Sequence, residues 1–294
     1  MSTLKALVRK RPVLTYYVLA FAISWGGILI AIGGPKGIPG RPERFQSLLP
    51  LVVLAMLAGP SVAGLLMTAL VSGRAGLRGL LSRLFKLRVA ARWYAIALLT
   101  APFLMAAIPL ALSLIFPALL PGIFAKGNKL SLLLTGIAAG LGAGIFEELG
   151  WTGFAIPRLR LRYDSVTAGL IVGGLWGAWH FLVNFWSSGT ASGRLSAALL
   201  LHSLLFSILI LPAFRLLMVW VYDLTGSLFV AMLMHASLTA GNVILVPAGT
   251  GLALVTWSLV LGAALWVVVA RVAADKGRGP RRGRSGAEGP ERAG

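Results

Sequence analysis

Residues 224–270 read LTGSLFVAMLMHASLTAGNVILVPAGTGLALVTWSLVLGAALWVVVA and contain no Asp, Glu, Lys or Arg. A hydrocarbon core about 30 Å thick takes roughly 20 helical residues to cross, so this run is long enough to cross twice. Pro247, Gly249 and Gly251 place the break between the two crossings, because proline cannot continue a helix and glycine allows the sharp reversal that follows. Four more uncharged runs, Pro12–Pro35, Phe45–Gly73, Trp93–Ala125 and Ser165–Gly193, are also long enough to span. Helices are the expected solution, because backbone polar groups in lipid must be satisfied within the segment and no short alternating barrel pattern is present.

Working outward from these runs gives eight spans, at 13–33, 48–72, 93–116, 131–155, 165–186, 196–220, 224–246 and 252–271. The fold class is therefore all-α: a polytopic membrane protein with a transmembrane bundle at 13–271. Composition agrees, with 58% apolar and 12% charged residues and a mean hydropathy of +0.88. The first run follows a basic start, but its length and the lack of a small-residue cleavage site before Lys36 favour a retained helix over a signal peptide.

The net charge of +19 is distributed along the loops and tails rather than over one module. The N-terminus (1–12), the 74–92 connection, Arg158, Arg160, Arg162 and the tail share one side, whereas the other side carries Lys36, Arg41, Arg44, Lys126, Lys129 and Arg194. The excess places both termini in the cytoplasm of a multi-pass plasma-membrane protein and makes the lipid bilayer, not nucleic acid, the partner of the basic residues. Arg74–Val89 interleaves apolar and basic residues and reads either as an amphipathic helix on the cytoplasmic leaflet or as a plain connection. The basic tail at 272–294 turns rich in Gly, Arg and Pro, without apolar periodicity, and is expected to be disordered. The absence of cysteine excludes disulfides, thiolate catalysis and Cys-ligated metal. No inverted repeat of broken half-helices is visible, which weakens a transporter reading.

Of the eight acidic residues, only Glu147 and Glu148 fall deep within a span. An ionisable group at a helix centre costs ~2.5–3.5 kcal/mol even on lenient insertion scales, so the pair needs a partner, water or a function. Gly136, Gly140 and Gly144 recur every fourth residue and Glu148 is the next position on that stripe, the face that admits a close neighbouring helix. Glu147 lies about 100° further round. His180 has Trp176 and the glycines Gly173 and Gly177 on the preceding turns, and His235 has Thr239 one turn on. Counting from Arg158, Asp164 and Asp223 at ~1.5 Å per residue puts Glu147, His180 and His235 at a common depth of ~16–24 Å, a layer expected to open toward the cytoplasm. His202, without a companion at that depth, reads as a packing residue.

The string FEELGWTGFAIPRL (Phe146–Leu159), then WGAWH ending at His180, then MHASLT containing His235, resembles the bacterial relatives of the CAAX prenyl endopeptidases, the CPBP or Abi intramembrane protease family. The resemblance covers roughly 131–245, a protease-like core within the bundle. It implies hydrolysis of a peptide bond in a membrane-associated or hydrophobic peptide or protein. In such a scheme Glu147 and His180 activate water, Glu148 orients the site or carries a proton, and His235 faces the oxyanion with help from Thr239 or Asn242. The family has also been described as metallo, which would make Glu147, His180 and His235 a His₂Glu set for zinc, although HExxH is absent. Three positions depart from the family pattern: Thr152 for arginine, Trp176 for phenylalanine and Thr239 for asparagine. Some bacterial members carry the same WTG form. The Thr152 exchange removes a cation that would hold a buried carboxylate ionised.

Two other functions fit the same residues. One is a proton-coupled carrier using the Glu/His layer as a relay. The other is a weakened, non-catalytic immunity or scaffold member, suggested by Thr152 and Thr239. Peptide maturation, self-immunity and cleavage of a membrane-bound regulator are not ranked by the sequence, nor is the oligomeric state.

Overall fold

A computed structural model describes residues 10–125 and 127–278 of the chain. Eight helices among them are long and apolar enough to cross a membrane: α1 Pro12–Ile32, α2 Pro42–Leu84, α3 Ala91–Ser113, α4 Lys129–Leu159, α5 Ser165–Ser187, α6 Ala197–Thr225, α7 Leu228–Leu245 and α8 Leu252–Ala274. Side-chain oxygens start four of them, with Asn128, Asp164, Ser196 and Ser227 accepting the backbone N–H three residues on. The Thr167 N–H bond also holds the Asp164 carboxyl below its usual range.

The expected spans are all present, with boundaries displaced where local chemistry dictates. α6 runs to Thr225 because Gly226 supplies the left-handed residue (φ 60°) that ends it. α2 begins at Pro42 and passes through the membrane to Gly73, where φ 59° breaks the axis. Beyond the break, 74–84 remains helical, with Leu80 buried against the bundle, so the stretch is not a plain connection as far as Leu84. The last helix continues to Arg278, past the boundary at 271. The remaining tail and the first nine residues lie outside the described residues.

Small residues set the packing around the site. Gly136, Gly140 and Gly144 of α4 lie against α7, where an added methyl at Gly140 or Gly144 would meet the carbonyl oxygen of Ala236 or Met232. Gly169, Gly173 and Gly177 of α5 lie in the same way against Leu216, Pro212 and Ser207 of α6. These close approaches bring Glu148, His235 and the polar face of α6 together. Two π-bulges, at Trp151–Ala155 in α4 and Phe206–Ile210 in α6, flank the same region. The second precedes Pro212, which has no N–H to continue a regular ladder.

The loops at the two ends interlock separately. At one end Gly40 N–H donates to the Trp186 carbonyl (2.8 Å) and Gly122 N–H to that of Val246 (3.1 Å). At the basic end Arg83 donates to the Gly153 carbonyl (2.9 Å) and the Tyr222 hydroxyl (2.8 Å), and Ser227 Oγ to the Lys86 carbonyl (2.8 Å). Val at Gly144 is expected to destabilise the detergent-solubilised protein by about 1–3 kcal/mol through overpacking. Val at Gly142, where an added Cβ meets only Leu57 at 3.8 Å, is expected to be nearly neutral. Comparison of the two unfolding midpoints checks the α4–α7 packing.

Candidate functional site

Glu148 is fully buried and is held from three helices. Arg215 of α6, equally buried, donates Nη1–H to Oε2 and Nη2–H to Oε1, both at 2.8 Å. His235 Nδ1 lies 2.7 Å from Oε1 and the Thr152 hydroxyl bonds Oε2. A guanidinium fork matched to a carboxylate is the strong, directional form of such a pair. The cation missing at Thr152 is thus supplied by Arg215, and the sequence expectation of a glutamate pair without a nearby cation is corrected. Arg215 carried a visible signal, since it is the only Lys or Arg between Arg194 and Arg271.

Glu147, one residue earlier, meets different partners. Its Oε2 accepts Nε1–H from Trp151 (3.1 Å) and from Trp176 (2.8 Å), while Oε1 accepts no hydrogen bond among the described residues. Trp176 thus holds a carboxylate through its indole N–H, which a phenylalanine at that position could not do. Its ring also stacks edge-on to His235, with centroids 4.8 Å apart, and carries the Arg215 guanidinium at 4.3 Å. The WTG segment divides its work, Trp151 holding Glu147 and Thr152 holding Glu148.

The two histidines are each fixed through Nδ1. His180 Nδ1 lies 2.9 Å from the Trp176 carbonyl, which can only accept, so the proton sits on Nδ1 and Nε2 carries the lone pair of the neutral ring. His235 Nδ1 is committed to Glu148, which leaves Nε2 facing Glu147 Oε2 at 3.9 Å. That gap is too long for a hydrogen bond and suits a bridging water.

Glu147, His180, His235, Thr239 and Asn242 all line one cavity of about 210 Å³, whereas Glu148 is sealed behind it. Asn184, bonded to Ser207 Oγ at 3.0 Å and not singled out from the sequence, joins them, as does His202, 2.7 Å from Ser258 Oγ. All three histidines of the chain thus border one space. The hydrogen bond of His202 matches its packing role, but its place on the wall does not. A helical turn cannot reveal that α6 folds back beside α5.

The cavity lies away from the basic end. Asn184, His202, Thr239 and Asn242 sit toward the 188–196 and 246–251 turns, beyond the Glu147–His235 layer. The expected opening toward the basic face is therefore corrected. Residue counting gives depth along one helix and says nothing of which side is packed shut.

Glu147, His180 and His235 have the donor types of a zinc site, and the Nδ1 tethers resemble those of ligating histidines. Their spacing does not complete one: among the described residues no three His, Asp or Glu groups converge as a metal cluster.

The segment that carries these residues has known counterparts. Residues 129–241 match the family model for type II CAAX prenyl endopeptidase Rce1-like proteins. CAAX prenyl protease 2 of Methanococcus maripaludis is 44% identical over 43 residues, 15% of this chain. The match spans 16% of that relative's length. The family resemblance read from the three motifs is thereby supported over the core of the bundle.

Breaking a buried ion pair costs about 3–5 kcal/mol, and removing both charges costs far less. Arg215→Met is therefore expected to destabilise the protein by about that amount, with much of the loss recovered in Arg215→Met/Glu148→Gln. Unfolding of the single and double variants in one detergent checks this coupling.

Proposed function

We propose that the protein is an intramembrane endopeptidase that hydrolyses a peptide bond in a hydrophobic or membrane-associated peptide, using water activated by Glu147. The observation that carries this reading is the division of labour between the adjacent glutamates. One is locked by a guanidinium, and the other faces a polar cavity with a free oxygen and an imidazole edge 3.9 Å away.

Glu147 takes a proton from water held between its carboxylate and the His180 Nε2 lone pair. The resulting oxygen attacks the peptide carbonyl carbon. His235, when doubly protonated, keeps Nδ1–H on Glu148 and offers Nε2–H to the oxyanion, joined by the Asn242 amide or the Thr239 hydroxyl. Collapse of the tetrahedral intermediate breaks the C–N bond, and Glu147 returns its proton to the leaving amine. Glu148 acts as a positioning residue, since a carboxylate already taking two guanidinium bonds and two side-chain bonds is poorly suited to carry protons. This also counts against a carrier in which both glutamates relay protons. Arg215 removes one of the two grounds for reading the chain as a non-catalytic relative.

The test is digestion of a hydrophobic peptide library by protein reconstituted in liposomes. Glu147→Gln and His180→Ala are each expected to lose at least about 10²-fold in rate, the usual contribution of a positioned acid or base. Asn242→Ala or Thr239→Ala is expected to lose about 10²–10³-fold, whichever supplies the oxyanion donor. Cleavage by Glu147→Gln at the wild-type rate would end this reading. Activity is expected to survive chelation with no metal bound; loss on chelation, restored by zinc, would support the metallo alternative instead.

A further inference from the structure

The two ends of the bundle differ in a way that bears on the substrate. On the basic side the catalytic layer is closed by packed side chains. Trp151, Phe154, Ala155 and Ile156 are fully buried, as are Val230 and Ala231. Leu80, on the helical stretch after the Gly73 break, packs with Leu228 and Met232, and Leu84 and Leu149 complete the seal. Arg83 fastens this stretch to α4 and α6 through the Gly153 carbonyl and the Tyr222 hydroxyl. On the other side, among the described residues, the cavity runs on between the helices. There the cavity continues from Glu147 and His235 past Thr239 and Asn242 on α7, and past Asn184, His202 and Ser203 on the facing wall. α6 in this region packs against α8 and the end of α5, leaving a cleft toward α4 and α7. A space of about 210 Å³ holds about seven waters at their bulk volume, enough for a solvated route or a short extended backbone. Its wall mixes apolar side chains such as Phe206 and Leu238 with amide, imidazole and hydroxyl groups, and the polar ones suit the N–H and C=O groups of a peptide main chain.

The charge distribution orients these ends. The sealed end carries the basic residues of 74–92 and 158–162, whereas the described residues of the open end carry Lys36, Arg41, Arg44, Lys129 and Arg194. By the positive-inside rule the sealed end faces the cytoplasm.

We infer that the substrate reaches the Glu147–His235 layer from the less basic, extracytoplasmic face, so that the scissile bond lies in a peptide or protein segment held outside the cytoplasm. The substrate class rests on the hydrolytic reading above; the side of access does not. A cytoplasmic C-terminal tail would have to pass the Leu80–Leu228–Met232 seal, whereas an exported peptide, or the outer juxtamembrane segment of an anchored protein, enters directly.

The chain has no cysteine, so single cysteines report access without background. Ser203→Cys and Phe206→Cys stand on the cavity wall, Ser192→Cys on the exposed loop at the open end and Ser82→Cys on the exposed surface of the sealed end. Each variant is treated with a small membrane-impermeant thiol reagent in intact cells and in inverted vesicles. The expected result is modification of Ser203→Cys or Phe206→Cys together with Ser192→Cys in intact cells, and of Ser82→Cys only in inverted vesicles. Modification of the cavity cysteines only from the Ser82→Cys side, or from neither side, overturns the inference. So does labelling of Ser82→Cys in intact cells. Because labelling needs no turnover, repeating it on Glu147→Gln separates failure of this inference from failure of the hydrolytic reading.

Discussion

A buried carboxylate in a membrane bundle stands only if its charge is answered, and the Glu148–Arg215 pair is the answer on which the site depends. The fork fixes both oxygens of Glu148 at 2.8 Å. Those oxygens in turn fix His235 through Nδ1 and Thr152 through its hydroxyl. Three helices are tied at one point, and the imidazole is presented to the cavity in a set orientation. Such a pair contributes little net stability against an apolar replacement, because desolvating both charges offsets their attraction. Its value lies in specifying the geometry, and the glycine stripes of α4 and α5 allow the helices to come close enough for it to form.

The neighbouring glutamate illustrates how one residue of sequence changes chemistry. At 100° further round the helix, Glu147 leaves the guanidinium and meets two indoles and open space. Adjacent carboxylates in unlike surroundings are a common basis for assigning unlike roles. Here the surroundings come from the WTG segment and Trp176: Thr152 bonds Glu148, and Trp151 and Trp176 bond Glu147.

Much of the fold was legible because membrane helices announce themselves by length and lack of charge, and the reversal at Pro247–Gly251 needs no tertiary information. That a helix packs closely on α4 was legible too, since a glycine every fourth residue marks the approach face; that this helix is α7 was not. Arg215 was visible as the lone cation of its span, but its pairing with Glu148 was not, because the partner lies 67 residues away and nothing local says that α6 turns that face inward. The closure of the basic end was hidden for a related reason. Whether an end is open depends on how Leu80 of α2 meets Leu228 and Met232 of α7, a property of packing and not of any one span.

The central claim is that water bound beside Glu147 attacks a peptide carbonyl. Cleavage in ¹⁸O-labelled water, followed by mass spectrometry of the products, tests it most directly. The account predicts one ¹⁸O in the new C-terminal carboxylate released by the wild-type protein and no such product from folded Glu147→Gln. Product without the label, or equal labelled product from both proteins, would contradict it.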